Sequence, residues 1–142
     1  MSFFHLRVMN SPEDFQLLTP TDPFTELGDY TCGEKRIHWF FCRRCGVRCF
    51  AFAGEGETVD FEVEFEIVMV GKVKRKMKVW KPKSEGWVEK ENGYLSINAA
   101  TLNAGQEGLD LREWTEKGWI AYLDMKGDGE ARLGKPHEGG MY

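Results

Sequence analysis

The chain has 142 residues, 42% hydrophobic and 13% aromatic, with a formal net charge of −4. That length suits one domain with one core, and the apolar content excludes an intrinsically disordered chain. The mild acidity supplies no sequence-wide attraction to nucleic acid or anionic membrane, and no apolar run approaches the ~18 residues of a membrane span.

In chain order, Phe3 to Met9 is rich in aromatic and branched residues and reads as a strand. Ser11 as a cap and Pro12 at a first helical position give a single helical turn. Phe15 to Pro20 reads as a short apolar strand ended by proline. Asp29 to Gly33 and Lys35 to Phe41 flank a turn near Gly33 and Glu34, so they read as a hairpin. Its second strand runs into a knuckle, Cys42 to Gly46, and Val47 to Ala53 leaves as another strand.

The clearest hairpin follows. From Val59 to Met69 the odd positions are apolar, while Asp60, Glu62, Glu64 and Glu66 fill even ones. This period of two marks a half-buried strand. Lys72, Lys74, Lys76 and Lys78 alternate in the same way beyond Gly71. A three-residue loop at Val70 to Lys72 sets Glu66 opposite Lys76, Glu64 opposite Lys78, Phe65 opposite Met77 and Val63 opposite Val79. The lysine run is thereby explained as one side of a charge ladder rather than a nucleic-acid patch. Trp87 to Leu102 reads as a further hairpin turning at Asn92-Gly93. Leu109 to Trp119 reads as the one short helix, capped by Asp110, with Glu113 completing a capping box and Gly118 closing the end. Leu111, Trp114 and Leu109 are its inward candidates. Trp119 to Met125 is a last strand. The expected organisation is a mostly β domain over residues 1–126 and a flexible C-terminal tail over residues 127–142. Trp80, Trp87, Trp114 and Trp119 read as core or edge packing.

The chemistry is concentrated in Cys42-Arg-Arg-Cys45-Gly46. Two residues between thiolates let the chain fold around one ion, and the glycine permits the backbone that turns amides toward sulfur. Two arginines favour thiolate over thiol. One reading is half of a tetrahedral zinc site with Cys42 and Cys45 as ligands. A redox pair and two unligated core cysteines are the competing readings; the redox pair normally opens a helix in a βαβ unit, and aromatic strand sequence surrounds this one. Cys32 lies across the first hairpin, five or more residues from Cys42 along the strand, roughly 16 Å at ~3.3 Å per residue. Cys49 sits on the departing strand and reads as a core residue. His38 reads as a half-exposed sheet histidine. His5 and His137 have no placement from sequence. No Ser-His-Asp pattern, phosphate-binding glycine loop or metalloprotease helix is present. Met1 to Asn10 has neither the apolar stretch nor the cleavage site of a signal peptide, so the expected setting is cytoplasmic and reducing, where close cysteines mean metal or redox work more often than disulfides.

Phe4 to Leu18, Leu27 to Phe52 and Leu95 to Trp114 resemble the glutathione-dependent formaldehyde-activating enzyme and centromere protein V family. The marker is Phe40-Phe41-Cys42-x-x-Cys45-Gly46-Val47, joined by Asn98 to Leu102. The resemblance implies a β-tent fold built around zinc. It also implies carbon–sulfur lyase chemistry, in which a glutathione thiol adds to formaldehyde to form S-hydroxymethylglutathione. In that family an amino-terminal Cys-x-Cys pair joins the later Cys-x-x-Cys in a structural zinc site, and a Cys-x-Cys-x-x-Cys cluster binds the catalytic metal. Residue by residue, only Cys42 and Cys45 carry over, as structural zinc ligands. The catalytic residues stay unassigned. The expectation is a family domain incomplete at the amino terminus, with less than one zinc per chain and inactive alone. A non-catalytic binding or scaffold domain is the alternative, and a fragment of a longer active protein a third reading. A glutathione adduct is the implied partner, and two chains sharing one ion would make an oligomer.

Overall fold

The computed structural model describes residues 4–88, 91–124, 131–133 and 140–141. The described chain is mostly β, with antiparallel pairing in every recorded strand register. It divides into two compact units, Leu6–Ile97 and the remainder. The first strand, β1 (His5–Arg7), is shorter than the sequence pattern. Helix α1 (Ser11–Asp14) takes Asn10, not Ser11, as its cap residue. Ser11 is buried and its hydroxyl donates to the Val8 carbonyl at 2.6 Å. Phe15 to Pro20 forms no strand, only an isolated bridge between Leu17 and Trp80. Pro20 has no N–H to extend the ladder.

A second helical turn, α2 (Pro23–Glu26), was not expected. Asp22 Oδ1 accepts from the Phe24 N–H at 3.0 Å, and Pro23 has the fixed φ of a first helical residue. Strands β2 (Gly28–Thr31) and β3 (His38–Phe41) form the expected hairpin, with Gly33 and Lys35 at positive φ in the turn. Strand β4 (Arg48–Ala53) pairs β3 through a bulge between Phe40 and Phe41.

Strands β5 (Gly56–Ile67) and β6 (Gly71–Pro82) make the long charged arm. The loop has three residues, but they are Val68 to Val70, two positions earlier than expected. Glu66 therefore faces Lys72 and Glu64 faces Lys74, while Phe65 faces Val73 and Val63 faces Arg75. The faces match the sequence pattern and the pairing does not. Met69 and Gly71 take φ of 76° and 84°, so the turn is built on them. The shortest ion pairs are diagonal, Lys72 to Glu64 at 2.7 Å and Lys74 to Glu62 at 3.2 Å.

The expected hairpin at Asn92-Gly93 is a closed loop instead. The amides of Glu91, Asn92 and Gly93 all donate to the Val88 carbonyl, and Asn92 Oδ1 accepts from the Val88 N–H at 2.7 Å. Among its described residues only the second half, β7 (Tyr94–Asn98), is a strand, and it pairs β4. The sheet order is β1-β7-β4-β3-β2. Phe40, Phe50, Phe52, Trp80 and Leu95 form the buried core against one face of that sheet.

In the other unit, Asn98 caps a 3-10 turn, its side chain accepting from the Ala100 N–H. Helix α3 (Leu111–Glu116) is the expected helix, making three short helices among the described residues rather than one. Asp110 accepts from the Arg112 N–H at 2.9 Å, and the Arg112 side chain pulls its carboxyl down to about 2. The Glu113 carboxylate is paired with Lys117. Gly118 at φ 69° closes the end, with the Trp119 N–H returning to the Trp114 carbonyl. Leu111 and Trp119 are exposed rather than packed inward. Strand β8 (Ala121–Asp124) lies between β9 (Ala131–Leu133) and β10 (Gly140–Met141), so residues read as tail carry paired backbone. No helix among the described residues is long and apolar enough to cross a membrane.

Candidate functional site

Strand β3 ends at Phe41 and delivers Cys42 into a tight turn. The Cys42 N–H donates to the Val47 carbonyl at 2.9 Å, and the Gly46 N–H returns to the Cys42 carbonyl at 2.8 Å. Gly46 sits at φ 73°, where a side chain would strain the backbone. This closure aims the amides of Cys45 and Arg44 at the Cys42 sulfur. Those two hydrogen bonds, then one from the Cys45 thiol, hold the Cys42 thiol below its ordinary range.

Cys49 was expected to be too distant. It packs against the core, as expected, but it also lies beside the knuckle. The bulge is the reason. Phe40 pairs Phe50 and Phe41 pairs Arg48, so Cys49 is the extra residue opposite that step. Burial raises the Cys49 thiol first, and the charges of Cys42 and Cys45 raise it further. The two shifts have opposite sign. Limited iodoacetamide treatment near neutral pH should therefore alkylate Cys42 before Cys49, read by peptide mass spectrometry. Equal rates would contradict the amide geometry.

The other candidates separate. Cys32 lies just past β2, beyond the Thr31–His38 pair, while Cys42 lies past the Gly28–Phe41 pair at the opposite end of the hairpin. The sequence estimate of their separation stands. His38 is half-buried, its Nδ1 donating to Asp29 Oδ2 at 2.7 Å, with its ring stacked on Phe40 and edge-on to Phe24. These contacts make it an anchored sheet histidine. His5 lies on β1, and His137 lies outside the described residues. Among the described residues, no group of three or more His, Cys, Asp or Glu side chains is placed to hold a metal ion. Within this turn the possible donors are the two thiols of Cys42 and Cys45.

A second feature was missed from sequence. Strand register puts Trp39, Ala51 and Ser96 in one row, and Ala53 beside Tyr94, on the sheet face opposite the core. Small side chains on β4 between taller rings on β3 and β7 leave a hollow. It is a cleft of about 410 Å³, lined by Trp39, Tyr94, Ala53, Arg7, Arg36 and Cys32 among others. The Arg7 guanidinium lies 5.2 Å over the Tyr94 ring, and the Tyr94 hydroxyl donates to Ser96 Oγ at 3.0 Å. Arg36 is tied to the Glu91 carbonyl at the rim. The signal was the Phe50-Ala51-Phe52-Ala53 alternation, which puts rings on one face of β4 and alanines on the other.

Searches against family models, curated proteins and solved structures return no match to this chain.

Proposed function

We propose that this chain is a β-tent domain of the formaldehyde-activating type, whose knuckle lends Cys42 and Cys45 to a zinc site that other ligands must complete. The observation that supports it most is the turn itself, in which Gly46 at positive φ returns its N–H to the Cys42 carbonyl and curls the chain between the two cysteines. Zinc in such a site would cross-link the knuckle to whatever supplies the remaining donors. Two thiolates alone do not make a catalytic metal centre, which keeps an open position on a filled ligand set. On this reading the chain carries the fold of a carbon–sulfur lyase for glutathione and formaldehyde but does not run that reaction alone. A non-catalytic binding domain of the same fold is the second reading, favoured by the outer-face cleft.

Metal analysis of the purified chain tests the proposal. Less than one chelator-resistant zinc per chain is expected, with no S-hydroxymethylglutathione formed above the uncatalysed background. Half an equivalent together with a dimer would mean two knuckles sharing one ion. A full equivalent per monomer, lost in Cys45→Ser, would overturn the half-site.

A further inference from the structure

The outer-face cleft is chemically distinct from the knuckle. Trp39, Tyr94 and the buried Ala53 line it, together with the acidic residues Glu34 and Glu91. A volume of about 410 Å³ falls within the ~300–1,000 Å³ of small-molecule sites. Two guanidinium groups stand at its edge. Arg7 rides over the Tyr94 ring, and Arg36 is fixed by its bond to the Glu91 carbonyl. The neighbouring carboxylate, Glu34, is only a long ion pair away from Arg36, at 3.9 Å, and its side chain is 83% exposed. An exposed pair at that distance is weak, so a better-placed anion can compete for the guanidinium.

We propose that this cleft binds a small planar aromatic carboxylate, its ring against Trp39 and Tyr94 and its carboxylate on Arg36, with Arg7 adding positive charge. Two aromatic residues in the lining favour a flat ligand, because aromatic rings pack on one another. A guanidinium fork selects a carboxylate over a neutral group, because it can donate two parallel hydrogen bonds. This binding is independent of zinc and of the half-site reading.

Cys32 provides the readout. It lines the cleft and is exposed, whereas Cys45 is also exposed but belongs to the knuckle. The experiment follows N-ethylmaleimide labelling of both thiols in the full chain by peptide mass spectrometry, with 2-naphthoate as the probe. Millimolar 2-naphthoate should slow labelling of Cys32 several-fold and leave Cys45 unchanged. The neutral analogue 2-naphthalenemethanol should need about tenfold more for the same protection. Arg36→Gln should erase that difference between the analogues, and Glu34→Gln should enlarge it. The analogue comparison uses the wild-type chain, so the outcome does not depend on a variant folding. Equal slowing of Cys32 and Cys45, no slowing of either, or equal protection by acid and alcohol would each overturn the proposal.

Discussion

Trp80→Ala is expected to cost about 3–5 kcal/mol of folding free energy, the range for removing a large buried aromatic. Trp80 is 3% exposed and sits where four other rings meet. Phe52 is 5.0 Å away edge-on, Phe50 is at 6.1 Å, Phe15 at 6.3 Å and Phe24 at 6.4 Å. These rings come from β4, from α2 and from the residue that follows α1, so the indole joins pieces that no backbone ladder joins. Its own backbone is also bonded both ways to Leu17. Neighbours held by strand pairing cannot collapse fully into the space left behind, which puts the loss at the cavity-forming end. Domains of this size have roughly 5–15 kcal/mol in total, so the variant would be marginal at best. Denaturant unfolding should show a large fall in midpoint. Trp80→Phe, which keeps most of the ring, should fold and lose much less. A loss under about 1 kcal/mol for the alanine variant would mean that Trp80 is not a keystone of the core.

Gly56→Ala is the second large effect, and it acts through the same ring. A Cβ at Gly56 would lie 2.2 Å from Trp80 Cζ2 and 2.4 Å from Cε2. One of the two must move. Gly56 is fixed by its pairing with Pro82, and Trp80 is confined by the rings around it. Overpacking of this kind costs about 1–3 kcal/mol. The cause predicts a non-additive pair. In the Trp80→Ala background the added methyl enters empty space, so Gly56→Ala should cost almost nothing there. A double-mutant cycle measured by denaturant unfolding reads this directly. Equal costs in both backgrounds would show that the indole is not what excludes the methyl.

Much of the fold was legible where a local pattern carried it. The β2–β3 hairpin, the ends of α3 and the alternation of the arm could be read off residue by residue. The arm also shows why the rest was hidden. Glutamate and lysine recur every second residue, so the four-residue slide between the expected and the observed pairing keeps acid opposite base, and costs only one apolar match, Val63 now facing Arg75. Only the turn separates the registers, and its geometry places a non-glycine residue, Met69, at positive φ, which composition does not announce. The turn at Cys42 to Gly46 was legible because its residues are close in sequence, so its geometry is local. Cys49 returned to them through a bulge, and nothing in Phe40 to Arg48 marks which residue is the extra one. The loop at Val88 misled because Asn92-Gly93 is also a hairpin signal, and the Asn92 side chain closed the loop on itself instead.

Beyond the Leu17–Trp80 bridge, the arm is a two-stranded ribbon with Val68, Met69 and Val70 at its tip, 88%, 99% and 68% exposed. Such a ribbon offers unsatisfied backbone on both flanks, the usual invitation for one chain to zip onto another. Here each flank wears a single sign, acid along β5 and base along β6. Two copies meeting flank to matching flank, as a symmetric pair must, would bring equal charges within about 5 Å of each other. The arm can thus stay long and greasy at its end while refusing its own mirror partner side-on.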